Sequence, residues 1–469
     1  MFVIESKPTL LVGVIPIIDD DCLIEHDCRW PEPGKPIEPL AGVLYERVSD
    51  ILVGPLPHGF RWVWSPWNPV GLSVLNAKAW AYWTSRTSSA PLRTDFDREL
   101  ASAGLLQPVH ERDREYPPFP VSHTFTVWLH VTNACNLDCP YCYVRKSSEA
   151  LDVERGKQSL EVLINQAKDR GFTHLHIKYG GGEPTLHFRR VQQIHQWLQK
   201  RTREHGLELS ATLLTNGTLL KPEYILWLKE QDIRLMISVD GVGRTHDALR
   251  HTKDGEGTFA KIAHLIDKEL LPRDIKPSIS MTVTSVNAQT IPDVIRWTIL
   301  ERSLPLSLNI SRLPVWKQAT DVAYEEAAII RGFEEGYRLL EEHLPTWPFT
   351  AGLLDRVHLS PHRHTCGAGD NYLAVDHRGD IVSCHMLVGG GSVNAGVFPI
   401  SVSNLDVAQK ECTTCPYRFL CTGGCPLETF QRTGRWEARN PNCRIYQTLI
   451  PQWLRLEGLR LMKAANYLA

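Results

Sequence analysis

The chain has 469 residues, of which 43 % are hydrophobic and 22 % charged, with 51 Lys and Arg against 53 Asp and Glu. This is the composition of an ordinary globular chain of about two to four domains, and its near-zero charge offers no footprint for a nucleic-acid backbone or an anionic membrane. The apolar run from Leu10 to Ile18 is broken by Pro16 and closed by Asp19, Asp20 and Asp21; it is too short to span a bilayer and lacks the flanks of a signal peptide, so a cytoplasmic location is expected.

Residues 1–115 read as a small α+β domain. Strands are expected around Leu44–Leu56 and Arg61–Trp64, then a helix from Leu75–Asn76 through Trp80 and Tyr82, then a second helix near Phe96–Gly104. The Pro117-Pro118-Phe119-Pro120 stretch reads as a linker, because repeated proline cannot join a helix or a central strand. Residues 121–315 alternate β-rich and helical patterns. Strands are expected at Phe125–Val131, His174–Tyr179, Leu207–Leu214, Leu235–Val239, Ser278–Val283 and Leu306–Ile310. Helical patterns separate them at Ser159–Gln166, Val191–Lys200, Pro222–Lys229 and Phe259–Lys268. Six such units predict a parallel sheet with helices outside, a partial barrel whose chemistry sits on loops at the carboxyl ends of the strands. A bridging segment, 316–360, contains a long helix over 321–343. A cysteine-rich module follows over 361–450, and a terminal helix over 451–469.

Cysteine carries the chemical signal. The chain holds 12, and ten fall in two groups. A secreted disulfide scaffold would be smaller and exported, so clustered thiols here point to metal or redox chemistry. Cys22 and Cys28 have no paired spacing and read as ordinary thiols. Directly after the first strand of the middle domain come Cys135, Cys139 and Cys142, spaced C-x3-C-x2-C. Three thiolates on one loop can wrap a [4Fe–4S] cluster and leave one iron open. A structural zinc would want a fourth ligand nearby.

This motif, with Tyr141 at its aromatic position, resembles the radical S-adenosylmethionine (SAM) superfamily. Gly181-Gly182-Glu183-Pro184 after the second strand resembles the family segment that holds the methionyl amino group of SAM. Leu214-Thr215-Asn216-Gly217, Ser238-Val239-Asp240-Gly241, His246-Asp247 and Arg250 resemble the regions that hold its ribose and carboxylate, with Asn216, Ser238 and Arg250 as candidate contacts. Read as bare sequence, Asn216-Gly217 and Asp240-Gly241 are also plain turn dipeptides. Asn287 and Asn309 are weaker candidates near the last two strands. The resemblance implies that SAM bound at the open iron is cleaved to methionine and a 5′-deoxyadenosyl radical, which removes a hydrogen atom from a substrate.

The second group runs Cys366, Cys384, Cys412, Cys415, Cys421, Cys425 and Cys443. This spacing resembles the SPASM extension of peptide-modifying radical SAM enzymes, which implies two auxiliary [4Fe–4S] clusters. By that resemblance Cys412, Cys415, Cys421 and Cys443 ligate one. Cys366, Cys384 and Cys425 ligate the other, one thiol short, with Tyr372 standing near where some relatives have a further cysteine. His362, His364 and His385 lie close in sequence, and imidazole can replace thiolate on iron. Residues 42–108 partly resemble the winged-helix elements that grip leader peptides, which bind by strand addition; Asn76 is equally a good helix N-cap.

The fold expected is therefore α/β: a partial (β/α)6 barrel with an N-terminal winged-helix-like domain and a C-terminal iron–sulfur module. The function implied is modification of a ribosomally made precursor peptide, bound by its leader, with SAM, three clusters and an external electron donor. One alternative is formylglycine formation on a sulfatase. Against it, Gly180 and His385 stand where such relatives carry a polar side chain and an Asp. Another is a non-catalytic peptide-binding iron–sulfur protein.

Overall fold

In the computed structural model the chain is described over residues 8–12, 38–69, 71–111, 119, 122–312, 325–388 and 402–468. Cys22, Cys28, most of the expected proline linker and the start of the expected long helix lie outside these residues. The first elements are β1 (Leu10–Val12), β2 (Leu44–Arg47), β3 (Leu52–Pro55), β4 (Arg61–Trp64), β5 (Leu72–Leu75), α1 (Ala77–Ser85), β6 (Ala90–Pro91), α2 (Asp95–Ser102) and β7 (Leu106–Pro108). They form two sheets, ordered β1-β5-β4-β3 and β6-β2-β7. The strands expected around Leu44–Leu56 are β2 and β3, which lie in different sheets and are parted by a bend at Asp50. Helix α1 begins where the Asn76 side chain accepts the Ala79 N–H at 2.8 Å. Helix α2 begins on a reciprocal capping box between Thr94 and Asp97.

The middle of the chain follows the expected alternation. Its elements are β8 (Thr124–His130), α3 (Val153–Asp169), β9 (His174–Gly180), α4 (Phe188–His205), β10 (Glu208–Thr215), α5 (Pro222–Glu230), β11 (Ile233–Ser238), α6 (Arg244–Leu249), α7 (Phe259–His264), β12 (Ser278–Val283), α8 (Ile291–Ile295) and β13 (Leu306–Ile310). Strands β8 to β13 pair in chain order and in parallel. All residues of β9 and β13 are buried, as parallel strands covered on both faces must be. Helix α7 stops four residues before the sequence pattern suggested and continues as a π-helical stretch, Leu265–Leu270, ahead of Pro272.

The last third comprises α9 (Glu326–Glu342), β14 (Tyr372–Val375), β15 (Ile381–Val382), α10 (Arg418–Cys421), α11 (Pro426–Thr433) and α12 (Cys443–Ala464). The cysteine-rich segment does not stand apart. Its β14 pairs in parallel with β8, from Tyr372 opposite Thr126 to Val375 opposite Leu129, and extends the main sheet to eight strands. A small segment with little apolar core gains stability by sharing a larger one. Helix α12 packs on α9 and on β4 and β5. A Cβ at Gly458 would come within 3.0 Å of Leu56 and 3.1 Å of Trp62, so glycine permits that close approach. Trp64 Nε1 donates to the Leu359 carbonyl at 2.7 Å, and Arg418 pairs with Asp50. Among the described residues no helix is long and apolar enough to cross a membrane.

Candidate active site and cysteine module

Cys135, Cys139 and Cys142 lie on the loop that leaves β8, at the carboxyl end of the sheet. That loop is held from both sides. Gly182 N–H donates to the Thr132 carbonyl at 2.6 Å and Glu183 N–H to the Ala134 carbonyl at 2.8 Å. A Cβ on Gly182 would sit 2.2 Å from the Ala134 oxygen, and one on Gly181, where φ is +142°, 2.5 Å from the Thr132 oxygen. Two glycines are therefore what lets the second loop lie flat against the first. On the other side, Asn136 Nδ2 donates to Thr218 Oγ1 at 2.8 Å and Asn136 Oδ1 accepts from Asn216 Nδ2 at 2.9 Å. Lys146 Nζ donates to the Leu137 carbonyl at 2.6 Å and to Asp138 at 2.9 Å.

The three cysteines open on a cavity whose wall also carries Tyr141, Gly181, Gly182, Asn216, Ser238 and Arg250. Glu183, also nominated for this site, is absent from the lining. Its carboxylate is buried and accepts from Thr185 N, Thr185 Oγ1, Thr215 Oγ1 and Asn216 N at 2.5–3.0 Å. Burial pushes its pKa up, against these bonds. Glu183 thus ties the glycine loop to the end of β10. Asn309 lines the cavity, while Asn287 lies behind it, donating to the Asp240 carbonyl at 2.9 Å.

Sequence reasoning left Asp240 out of the site set, yet it organises one wall. Fully buried, it accepts from Arg250 Nε at 2.6 Å, from Thr282 N at 2.8 Å and from the Tyr141 hydroxyl. Its own N–H donates to His246 Nδ1 at 3.2 Å, which requires that imidazole to be neutral there; burial lowers the His246 pKa to about 4. Asp240 lies in the Ser238-Val239-Asp240-Gly241 segment that carries the family resemblance, but as bare sequence the Asp240-Gly241 dipeptide reads as a turn. Trp128 and Arg312 were also missed. The Trp128 ring fills the space a side chain at 180 would need, since a Cβ there would fall 2.2 Å from it. It stacks on His385 at 4.8 Å. Arg312 lines the cavity and is anchored by Asp355 Oδ2 at 2.5 Å.

Burial raises the Cys135 thiol pKa and pushes that of Cys139 up to about 12, against the charge of Arg250. Such thiols ionise when a metal takes the proton's place. The ten described cysteines are unbridged. Cys412, Cys415, Cys421 and Cys443 border one cavity. Cys366, Cys384 and Cys425 gather instead in one apolar cluster with Leu427, Val402 and Met386. Among the described residues no three His, Cys, Asp or Glu side chains converge as ligands of a single ion do; thiolates on a [4Fe–4S] cubane each hold a different iron and stand further apart. Four thiols around one cavity and three opening on another fit such clusters. The three neighbouring histidines are otherwise engaged through Nδ1: His362 with the Ser360 carbonyl, His364 with the Asn404 carbonyl and His385 with the Tyr372 hydroxyl, at 2.7–3.1 Å.

Residues 129–298 match the model of the radical SAM superfamily. The sporulation killing factor maturation protein SkfB of Bacillus subtilis (strain 168) is 24 % identical over 288 residues, covering 60 % of this chain and 64 % of that protein. The antilisterial bacteriocin subtilosin biosynthesis protein AlbA of the same strain is 32 % identical over 183 residues, covering 38 % of this chain and 36 % of that protein. A solved structure, native anSMEcpe with bound AdoMet and Cp18Cys peptide, superposes with a TM-score of 0.57 at 20 % identity, over 73 % of this chain and 99 % of the other. That likeness is one of fold. The cysteine loop and the glycine loop both fall inside the matched span, so residues 129–298 of this chain form a radical SAM domain.

Proposed function

We propose that this enzyme is a maturase of a ribosomally made peptide, and that it carries two auxiliary clusters beside the one at Cys135, Cys139 and Cys142. The observation that carries the reading is the cavity wall itself. It joins the cysteine loop and glycine loop on one side to Met386, two residues from Cys384, on the other. The segment that carries Cys384 thus reaches the same cavity wall as the loop that would generate the radical. SAM with a reduced cluster supplies a 5′-deoxyadenosyl radical when bound. The chain's own residues do the rest. Gly181 and Gly182 shape the floor, Asn216 and Ser238 offer polar contacts, and Arg250, fixed by Asp240, places a cation over the Tyr141 ring at 5.7 Å. Trp128 and Met386 present apolar surface that keeps water from a radical.

The maturation protein and the bacteriocin biosynthesis protein among the relatives support a peptide substrate. In this reading residues 1–115 hold the leader by strand addition; the four-stranded sheet ends at β3, where Val53 is 42 % exposed. A cytoplasmic setting with an external electron donor suits ten unbridged thiols. The domain limits given for the sequence belong to the same proposal.

The test uses anaerobically reconstituted enzyme with SAM, a reductant and the short peptide encoded beside the gene. Loss of two hydrogens from the peptide, localised by fragment ions to a pair of residues, is the expected result; an epimerisation would instead show as deuterium uptake from heavy water. An unchanged, unlabelled peptide alongside 5′-deoxyadenosine formation would overturn the peptide reading and leave the radical chemistry standing.

A further inference from the structure

Lys410 is a buried lysine, 5 % exposed, two residues before Cys412. Its ammonium does not reach solvent. Nζ donates to the Thr422 carbonyl at 2.7 Å and to Thr365 Oγ1 at 3.3 Å. These two acceptors flank different cysteine groups: Thr365 precedes Cys366, and Thr422 follows Cys421. The two threonines also bond to each other, Thr365 Oγ1 to the Thr422 carbonyl at 2.9 Å and Thr422 Oγ1 to Thr365 Oγ1 at 3.1 Å. A Cβ at Gly423, where φ is +87°, would lie 3.3 Å from Cys412 Sγ and 3.6 Å from Lys410 Nζ. The ammonium and a thiol of the four-cysteine cavity thus face the same small space.

Burying an ammonium among neutral partners is costly unless a counter-charge is near. Among the described residues no carboxylate is in ion-pair contact with Lys410; its hydrogen-bond partners are a carbonyl and a hydroxyl. Thiolate-ligated clusters on either side would supply that counter-charge. They carry net negative charge, each reduction adds to it, and in a poorly screened interior two such neighbours repel. A cation at the seam relieves the repulsion and favours the reduced form of both.

We infer that Lys410 is a buried cation shared by the two cysteine groups of the rear module, which raises the reduction potential of both auxiliary clusters and couples them. This rests on the two-cluster reading of that module. Lys410 touches neither substrate nor SAM in this scheme; it is a positioning residue for charge.

The test is made on full-length protein carrying C135A, C139A and C142A, so that only rear clusters are reconstituted. Iron and sulfide for two clusters in this parent are expected; iron for one cluster or none overturns the two-cluster reading and this inference with it. Redox titration followed by electron paramagnetic resonance then compares Lys410→Gln and Lys410→Arg in the same background. Lys410→Gln keeps an amide donor without the charge. It should cut the reduced-to-oxidised ratio of both signals about tenfold at a fixed potential, which is about 59 mV for a one-electron couple. Lys410→Arg should stay within twofold of the parent. A shift in one signal only, or in neither, overturns the shared cation while the two-cluster reading stands. If Lys410→Gln fails to load iron while Lys410→Arg loads fully, the charge is required and the inference holds. If both fail, the lysine acts by packing and the inference falls.

Discussion

The two cysteine regions are built on opposite principles. At the front, Cys135, Cys139 and Cys142 are half-buried on an open cavity. They are positioned by backbone-to-backbone contact, two glycines laid against the Thr132 and Ala134 carbonyls. At the rear, five of seven cysteines are buried, enclosed by apolar side chains and by α12. A site that must admit a cofactor and a substrate needs an accessible iron on a rigid loop. A site that only exchanges electrons gains from exclusion of water. The first of these demands is local and precise; the second is global and tolerant.

The sharpest way to break the comparison is to empty each region separately. Replacing Cys135, Cys139 and Cys142 by Ala should abolish 5′-deoxyadenosine formation and remove about four irons per chain, with the rear iron retained. Replacing Cys412 and Cys421 by Ala should do the reverse: iron is lost, yet SAM is still cleaved without substrate. Iron analysis and chromatographic assay of 5′-deoxyadenosine read both. If the rear variant also loses SAM cleavage, the regions are not independent.

Next in size is the front loop's dependence on glycine. In Gly182→Ala the new methyl would meet the Ala134 oxygen at 2.2 Å, so one loop must move. A displacement of about 1 Å in a positioned reactant costs on the order of 100-fold in rate. We expect that loss in SAM cleavage with iron loading unchanged. At the rear, Gly369→Ala would meet nothing closer than 3.6 Å, although its φ of +78° carries strain of its own; SAM cleavage should stay within a few-fold. Equal losses in the two variants would show that the glycines act by conformation and not by close approach.

Acid should separate the regions by sign. Burial lowers the pKa of His130 and of His246 to about 4. Both are neutral, folded or unfolded, well above pH 6.5. As pH falls below that value the unfolded chain takes up protons first, so stability is lost progressively down to about pH 4. At pH 5 the loss is about 2 kcal/mol for each histidine. Glu428 in α11 behaves oppositely, because burial raises its pKa against the charge of Arg312. Its contribution is fullest in acid and declines as pH rises above the ordinary carboxylate range. Hydrogen exchange at pH 7 and pH 5, corrected for intrinsic rates, should show β8 and α6 losing protection in acid while α11 keeps it. Uniform loss across all three would contradict this assignment of the charges.

What the sequence made legible follows the same division. Three cysteines within eight residues, and six β-rich runs, are local patterns, and the six parallel strands stand close to where periodicity put them. Asp240 was not legible, because what it does is hold Tyr141, 99 positions away, together with Arg250. Nor was the union of β14 with β8: a four-residue Tyr-Leu-Ala-Val run carries no sign of its partner. Gly180 and Trp128 form one lock from two strands, and neither residue alone announces it. Lys410 reads as an ordinary surface lysine until the fold buries it.

The smallest predicted effect concerns Asn76, which belongs to neither region. Its side chain caps α1 through the Ala79 N–H, and loss of such a cap costs about 1 kcal/mol. Asn76→Ala should therefore weaken exchange protection in α1 and leave iron content at both front and rear untouched. Asn76→Ser, which can accept the same bond, should recover most of it. The pair also locates peptide recognition. If the leader joins a sheet edge, a labelled precursor peptide should bind both variants within about twofold of the parent, because the cap lies on the helix and not on the strand. A tenfold loss of binding in Asn76→Ser, with helix protection intact, would move the peptide surface from the strand edge to the start of α1.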